Sequence, residues 1–571
     1  MNKCYTSSIK SIRNAFLLGF LVCSATAFSQ TTNFNTLNEM HNEVPDDPYI
    51  EVNKAAMERS PSYEAAGPNY FTKQVNVDSN GNNIVGDAGN EPSIAVDPTN
   101  PDRMVIGWRQ FDDVSSNFRQ AGNAYSLNGG YNWVNPDVLT PGNFRSDPVL
   151  DFDSEGNLYY NSLTTGFVCQ VFTISDGGQD WGAPVAAFGG DKQWMRIDRS
   201  GGVGDGNNYS YWNSSFSTCA PNNFTRSVDG SQNFESCVLV DGNPRWGTLA
   251  VDASGNLYTV GQNNAGLIVT KSTTAQNPAN PVVFDFFNTV DLDGELDAGI
   301  PINPQGLLGQ AWIDVDISGG IGHGNVYVCA SVNRISNGDA ADVMFAKSID
   351  GGITFAPPIR INDDASESNY QWFGTMAVAP NGRIDVVWLD TRNAPNLLES
   401  VLYYSFSEDQ GDSWSENKLI SESFDPTIGY PNQNKMGDYF DMVSDNDYAH
   451  VAWANTLNGG QDVYYTRISP YGLLGVEDYS EANPFQLVLF PNPVSDTTTL
   501  LFDISSEEHI TVTVFDLLGR KINVLLDETV FGKQSLSWEG VNAERAKLTS
   551  GLYFISIQSK TNRQTIKVLL E

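Results

Sequence analysis

One eight-residue turn recurs along this chain at intervals that only a repeated small sheet satisfies. Its clearest copy is Ser348-Ile349-Asp350-Gly351-Gly352-Ile353-Thr354-Phe355. Asp350 can fold its carboxylate back onto backbone N–H groups, and the two glycines permit positive φ. Ser348 and Thr354 add hydroxyls to the turn, and Phe355 adds a ring that can pack beneath it. Related turns stand at Ser126–Trp133, Asp176–Trp181, Ser227–Phe234 and Ser407–Trp414, with a degenerate copy at Ser272-Thr273-Thr274. A spacing of roughly 40–50 residues with insertions fits four-stranded sheets arranged about an axis.

Seven segments share an opening and then run into an apolar strand. They begin at Glu91, Asp147, Gln193, Arg245, Gln310, Gln371 and Asp438. Gly/Asn turns such as Ser154–Asn157, Ala253–Asn256 and Pro380–Arg383 lead to a second strand. The seventh segment ends near Ser469 without a fourth strand. The alternating stretch Tyr70–Asp78 can supply one and so close the ring with the two ends of the chain. The expected fold is all-β: a seven-bladed β-propeller over 70–470.

The turn resembles the Asp-box (BNR) repeat of sialidase-like β-propellers. The resemblance implies blades round an axis and a carbohydrate-active function, but the box itself is a turn and not a catalytic group. Sialidases have six blades, and Glu91-Pro92-Ser93 stands where they carry Arg-Ile-Pro. Both are departures from that family. The last eighty-odd residues resemble the C-terminal sorting domain of the Bacteroidetes type IX secretion system. That likeness rests on Phe490-Pro491-Asn492-Pro493, Val514-Phe515-Asp516 with Gly519-Arg520, Leu548–Phe554 and the terminal Lys567-Val568-Leu569-Leu570. It implies type IX secretion machinery as a partner and a secreted or surface-attached product. Short strands over 485–571 predict a small immunoglobulin-like β-sandwich.

The rest of the chain agrees with export. Lys3, Lys10 and Arg13 precede the apolar run Ala15–Val22, and Ala27-Phe28-Ser29 offers small residues for cleavage, so residues 1–29 read as a signal peptide. Residues 30–69 and 471–484 read as linkers, and no later segment is apolar and long enough to span a bilayer. A net charge of −36 opposes nucleic acid and anionic membrane as partners. Of six cysteines, Cys169, Cys219, Cys237 and Cys329 follow the signal segment. Cys219 and Cys237 are the closest couple, and both a bridge and buried thiols fit.

With Asp boxes on one face, the second-to-third-strand loops and sheet-to-sheet crossings emerge on the other, where function gathers. Arg109, Arg245 and Arg392 could grip an acidic sugar, with Trp108, Trp388 and Gln371 beside them. Asp390, Asp438 and Tyr439 are the catalytic candidates, because glycosidases need paired acids or an acid with a tyrosine nucleophile about 5–10 Å apart. Asp291, Asp293, Glu295 and Asp297 alternate carboxylates as hard cations favour, so a structural calcium and a hydrated acidic loop are the two readings. No cofactor is required. The leading expectation is a monomeric, exo-sialidase-like glycoside hydrolase acting on an extracellular glycan. The alternatives are a non-catalytic glycan- or protein-binding propeller and a polysaccharide lyase.

Overall fold

A computed structural model describes residues 45–570 except 175–179, 395–397, 473–484, 486, 496, 518 and 561–562. The expected signal peptide, the Asp176 turn and most of the second linker lie outside the described residues. The chain forms two compact units: residues up to Ala66 with Phe71–Pro470, and Gly67–Tyr70 with Tyr471–Glu571. Among the described residues there is no α-helix, only a 3-10 turn at Lys54–Ala56, and no helix is long and apolar enough to cross a membrane.

Among the described residues the larger unit holds seven antiparallel sheets of three or more strands and two two-stranded ones, and the seven concern the site. Their first strands are Ala88–Val96, Ser146–Phe152, Trp194–Ile197, Leu249–Val251, Trp312–Val315, Gln371–Val378 and Asp441–Ser444. These strands touch one another in cyclic order, and the seventh lies against the first. Side chains stitch neighbours together. Ser93 Oγ accepts the Leu150 N–H at 3.0 Å, Asp151 the Ile197 N–H at 2.8 Å, and Thr248 the Ile313 N–H at 3.1 Å. Asp314 accepts the Val378 N–H at 2.8 Å, and Asp441 the Ile94 N–H at 3.1 Å. Between the sheets Trp194 meets Trp312 and Tyr439 edge-on, at 5.1 and 5.2 Å.

The recurrent turns close as their residues dictate. Ser348 Oγ accepts the Gly352 N–H at 2.9 Å, and Asp350 Oδ1 accepts the Thr354 N–H at 2.9 Å. Hydrogen bonds from Thr354 hold the Asp350 carboxyl down to about 2. The copies at Ser126, Ser227 and Ser407 repeat the pattern at 2.9 to 3.0 Å. Gly130 must be glycine, since its φ is 83° and a Cβ would lie 2.1 Å from the Tyr465 ring.

The lead-in expected to be a linker is, from Pro45, part of the larger unit. Arg59–Pro61 pairs with Asn82–Ile84, and Glu64–Ala66 edges the seventh sheet. That sheet runs Asp441–Ser444, Ala449–Asn455, Asp462–Ile468, then Tyr70–Gln74, so an N-terminal strand completes it. In the smaller unit, expected short strands merge into Thr498–Phe515 and Lys521–Trp538, each 18 residues long. Their pairing carries a register shift between Ile504 and Glu508. Among the described residues all five strands there are joined by hydrogen bonds, and the two halves of the long pair bury their apolar faces in one core. Cys219 and Cys237 are bridged, whereas Cys169 and Cys329 are buried free thiols.

The seam that closes the ring contains two buried carboxyls. Val75 N–H donates to the Val463 carbonyl at 2.8 Å, and the Asn76 amide donates to Asp462 at 2.7 Å. Burial pushes Asp462 up to about 7, and burial together with the Asp462 charge pushes Asp87 well above the carboxylate range. A raised folded-state value stabilises below the unfolded carboxylate range, and this contribution is lost as pH rises through about 7. The melting temperature is therefore expected to fall between pH 5.5 and 8.5, and Asp462→Asn to flatten that fall. A fall of equal steepness in the variant would remove the seam as its cause.

Candidate functional site

The mouth of the ring on the loop face is set by a repeated strain. Glu91, Asp147, Lys192, Trp246 and Phe373 all have φ between 47° and 55° where a crossing enters a first strand, and Gly437 has φ 101°. Non-glycine residues in this region cost about 1–3 kcal/mol each and persist only where surrounding contacts hold them. Here the contacts are ionic. Arg109 Nη2 lies 3.1 Å from Glu91 Oε1, and Lys435 Nζ lies 2.8 Å from Asp438 Oδ2. Lys192 Nζ lies 2.7 Å from the same Asp438 oxygen and 3.4 Å from Asp191, and its backbone N–H donates to Asp147 at 2.9 Å.

All seven of these side chains are buried. Four acids face three bases. Burial pushes Glu91 up to about 8 against the pull of Arg109, so near neutral pH one proton on Glu91 balances the charges. Burial would lower Lys192, but Asp191, Asp438, Asp147 and Glu91 together hold it well above its ordinary value. The collar is also covered. Two crossings meet over it: Leu307 N–H donates to Asp438 at 3.0 Å, Asn303 donates to the Gly437 carbonyl, and Met436 N–H donates back to Asn303.

The sequence-derived candidates fall into separate networks. Asp438 is spent on Lys192, Lys435 and Leu307. Tyr439 donates its hydroxyl to the Pro148 carbonyl at 3.0 Å, and burial drives its phenol so high that a phenolate nucleophile does not form. Asp390 is held by Gln371, Trp388 and Arg392 at 3.2, 2.9 and 2.8 Å. Burial raises its carboxyl and Arg392 offsets the shift. Arg392 also pairs with Asp363 and lies over the Tyr403 ring. Trp108 is buried with Nε1 on Gln110. Arg245 is half-buried and exchanges backbone hydrogen bonds with Gln262, and burial lowers its guanidinium to about 10. These groups shape the mouth but do not converge on open space.

The carboxylates of the acidic loop are likewise engaged by protein groups. Asp293 is engaged by Arg334 and Ser336, Asp291 accepts the Asp293 N–H, Asp297 accepts the Ala298 N–H, and Glu295 lies in a short strand against Asn333. Among the described residues no group of three or more His, Cys, Asp or Glu is placed to hold a metal.

An open cleft of about 280 Å³ lies elsewhere on the loop face, between residues 47–52 and the loop 112–118. Sequence reading missed this cleft because one of its walls belongs to the lead-in taken as a linker.

Residues 488–571 match the secretion system C-terminal sorting domain family, and this tail marks the chain for type IX export to the cell surface or extracellular space. The chain is similar to a solved phage phi92 endosialidase, with 9% identity over 88% of this chain and 87% of that one and a TM-score of 0.40. It is similar to an ulvan lyase solved with its saccharide, with 11% identity over 67% and 95% and a TM-score of 0.41. It is also similar to PorZ, a type IX secretion surface component of Porphyromonas gingivalis, with 13% identity over 89% and 69% and a TM-score of 0.28. No curated protein matches the chain.

Removing Asp438 strands Lys192 and Lys435 in the interior. Asp438→Asn is expected to cost about 3 to 5 kcal/mol in urea unfolding. Glu91→Gln is expected to be close to neutral at pH 7 and to spare the protein the loss of stability that the native carboxyl causes as pH rises through about 8.

Proposed function

We propose that the chain is an exported seven-bladed Asp-box β-propeller that binds an extracellular glycan on its loop face without cleaving it. One observation carries this reading. The acids and bases that would perform cleavage neutralise one another inside the covered collar, while the groups exposed on the same face are aromatic rings and carboxylates. Tyr49, Phe167 and Phe188 are exposed, and Phe118, Phe144 and Phe216 are half-buried, along successive loops and crossings of the first three blades. Rings stack on the apolar face of a sugar, and carboxylates accept its hydroxyls. The site needs no cofactor, the partners are the glycan and the type IX machinery, and the protein acts as a monomer.

The exo-sialidase-like hydrolase has one observation in its favour. Glu91 at about 8 is the kind of protonated carboxyl that a general acid requires. For Glu91 to reach a substrate, the crossings around Asn303 and Met436 would have to lift from the collar. The arginine clamp of a sialidase is less well supported, since Arg109 and Arg392 are already committed to carboxylates.

The test is a screen of the purified chain against sialylated, uronic and neutral glycans, scored for both retention and product release. Retention of a neutral glycan without product is expected, and unchanged retention in Asp390→Asn. Release of a sugar that stops in folded Glu91→Gln or Asp438→Asn would replace this reading with the hydrolase.

A further inference from the structure

The cleft between the N-terminal strap and the first blade has the composition of a sugar subsite. Its rings are Tyr49, 40% exposed, and Phe118, with centroids 5.3 Å apart and planes inclined at 56°. Such a pair offers two apolar surfaces at an angle, which suits a puckered ring better than a flat one. Around them stand Asp47, Asp112, Asp113 and Ser115. Ionised carboxylates are acceptors only, so they call for hydroxyl or ammonium donors. Lys54 reaches Asp112 Oδ1 at 2.5 Å and offsets part of the charge; Asp47 and Asp113 leave the lining acidic.

The walls are set before any ligand arrives. Asp47 Oδ2 accepts the Asn117 N–H at 2.9 Å, and the Asn117 side chain donates to the Pro45 carbonyl at 2.8 Å. Arg119 pairs with Asp46 at 2.7 Å and stacks on Phe144 at 4.6 Å, while Gln120 donates to Asp112 Oδ2 at 2.7 Å. A preformed wall spares the ordering cost that binding would otherwise meet. The volume of about 280 Å³ falls just under the span of pockets that hold drug-sized ligands, so it accommodates one sugar ring rather than several.

We propose that this cleft binds a single hexopyranose ring that carries no anionic group, as the anchoring subsite of the glycan. The proposal rests on the glycan-binding reading above and deepens it by naming the subsite and the charge class of the sugar. Selectivity follows from the lining: a uronate or sulfate would bring like charge against Asp47 and Asp113 in a partly desolvated space. A hydroxyl or amine in the same place is an added donor. The strap makes half the subsite, so recognition depends on a segment outside the repeated blades.

Saturation-transfer NMR on the full chain tests this with methyl glucoside, methyl galactoside, methyl mannoside, glucosamine and glucuronate. Saturation transfer to at least one of the first four and none to glucuronate is expected. Tyr49→Ala, which removes an exposed ring, and Ser115→Trp, which fills the cleft from an exposed position, are each expected to weaken that binding at least tenfold without moving the melting temperature. Glucuronate binding as well as the uncharged sugars would overturn the proposal. So would unchanged binding in both variants, and if the glycan retained in the screen were still held, the subsite would fall while the glycan-binding reading stood. If no glycan and none of these sugars bound the native chain, both would fall together.

Discussion

Closure of the ring is the constraint on which the rest depends. Seven similar sheets can bury their faces only against one another, so each first strand needs a neighbour on both sides. The chain meets this by bringing Tyr70–Gln74 beside Asp462–Ile468 and by seating the seventh first strand on the first through Asp441 and Ser93. When that seam forms, Asp441 gains the Ile94 N–H, just as Asp151 and Asp314 gain the Ile197 and Val378 N–H groups from the sheets that follow theirs. An unsatisfied buried carboxylate costs far more than one hydrogen bond contributes, so the stitches act together. Placing Asp87 and Asp462 at this seam makes the junction of the two chain ends the part most responsive to proton concentration.

The repeats were legible in sequence because their chemistry is local. Ser348, Asp350 and Gly352 make a turn with residues no more than six positions away, so composition and spacing suffice to see it. The seven strand openings and the closing strand were legible for the same reason, through alternation and register. The collar was not. Glu91 meets Arg109 from the next strand but Lys435 and the field of Asp438 from across almost the whole larger unit, and nothing near Glu91 records that meeting. Its positive φ is equally silent, because such positions are usually announced by glycine.

The lead-in shows the opposite error. Residues 45–66 are polar, Pro-containing and short of apolar periodicity, which reads as a linker. Their order comes from outside the segment: Asn117, Arg119 and Asp112 of the first sheet and the strand Tyr70–Gln74 of the seventh supply partners that sequence cannot assign. In the same way Asp390 and Arg392 looked like an acid and a clamp because they stand two and four residues after Trp388 at a loop. The fold turns them toward each other, and a pair that satisfies itself has little left for a ligand.

The division between collar and rim then bears on the kind of ligand that can be held. A central charge network that is nearly balanced, covered by two crossings and strained at its corners works as a keystone: its members come from the first and second sheets and from the crossings into the third and seventh, and loosening any one exposes a like charge to the others. Such a centre is expensive to open, so recognition moves outward to where backbone is rigid but side chains remain free. On this chain those positions carry rings and carboxylates and few unpaired cations. An acidic rim with aromatic faces selects against polyanions by repulsion and for polyols by donor–acceptor match. The same acidity that keeps an exported protein apart from its neighbours thereby narrows the class of ligand that fits the loop face.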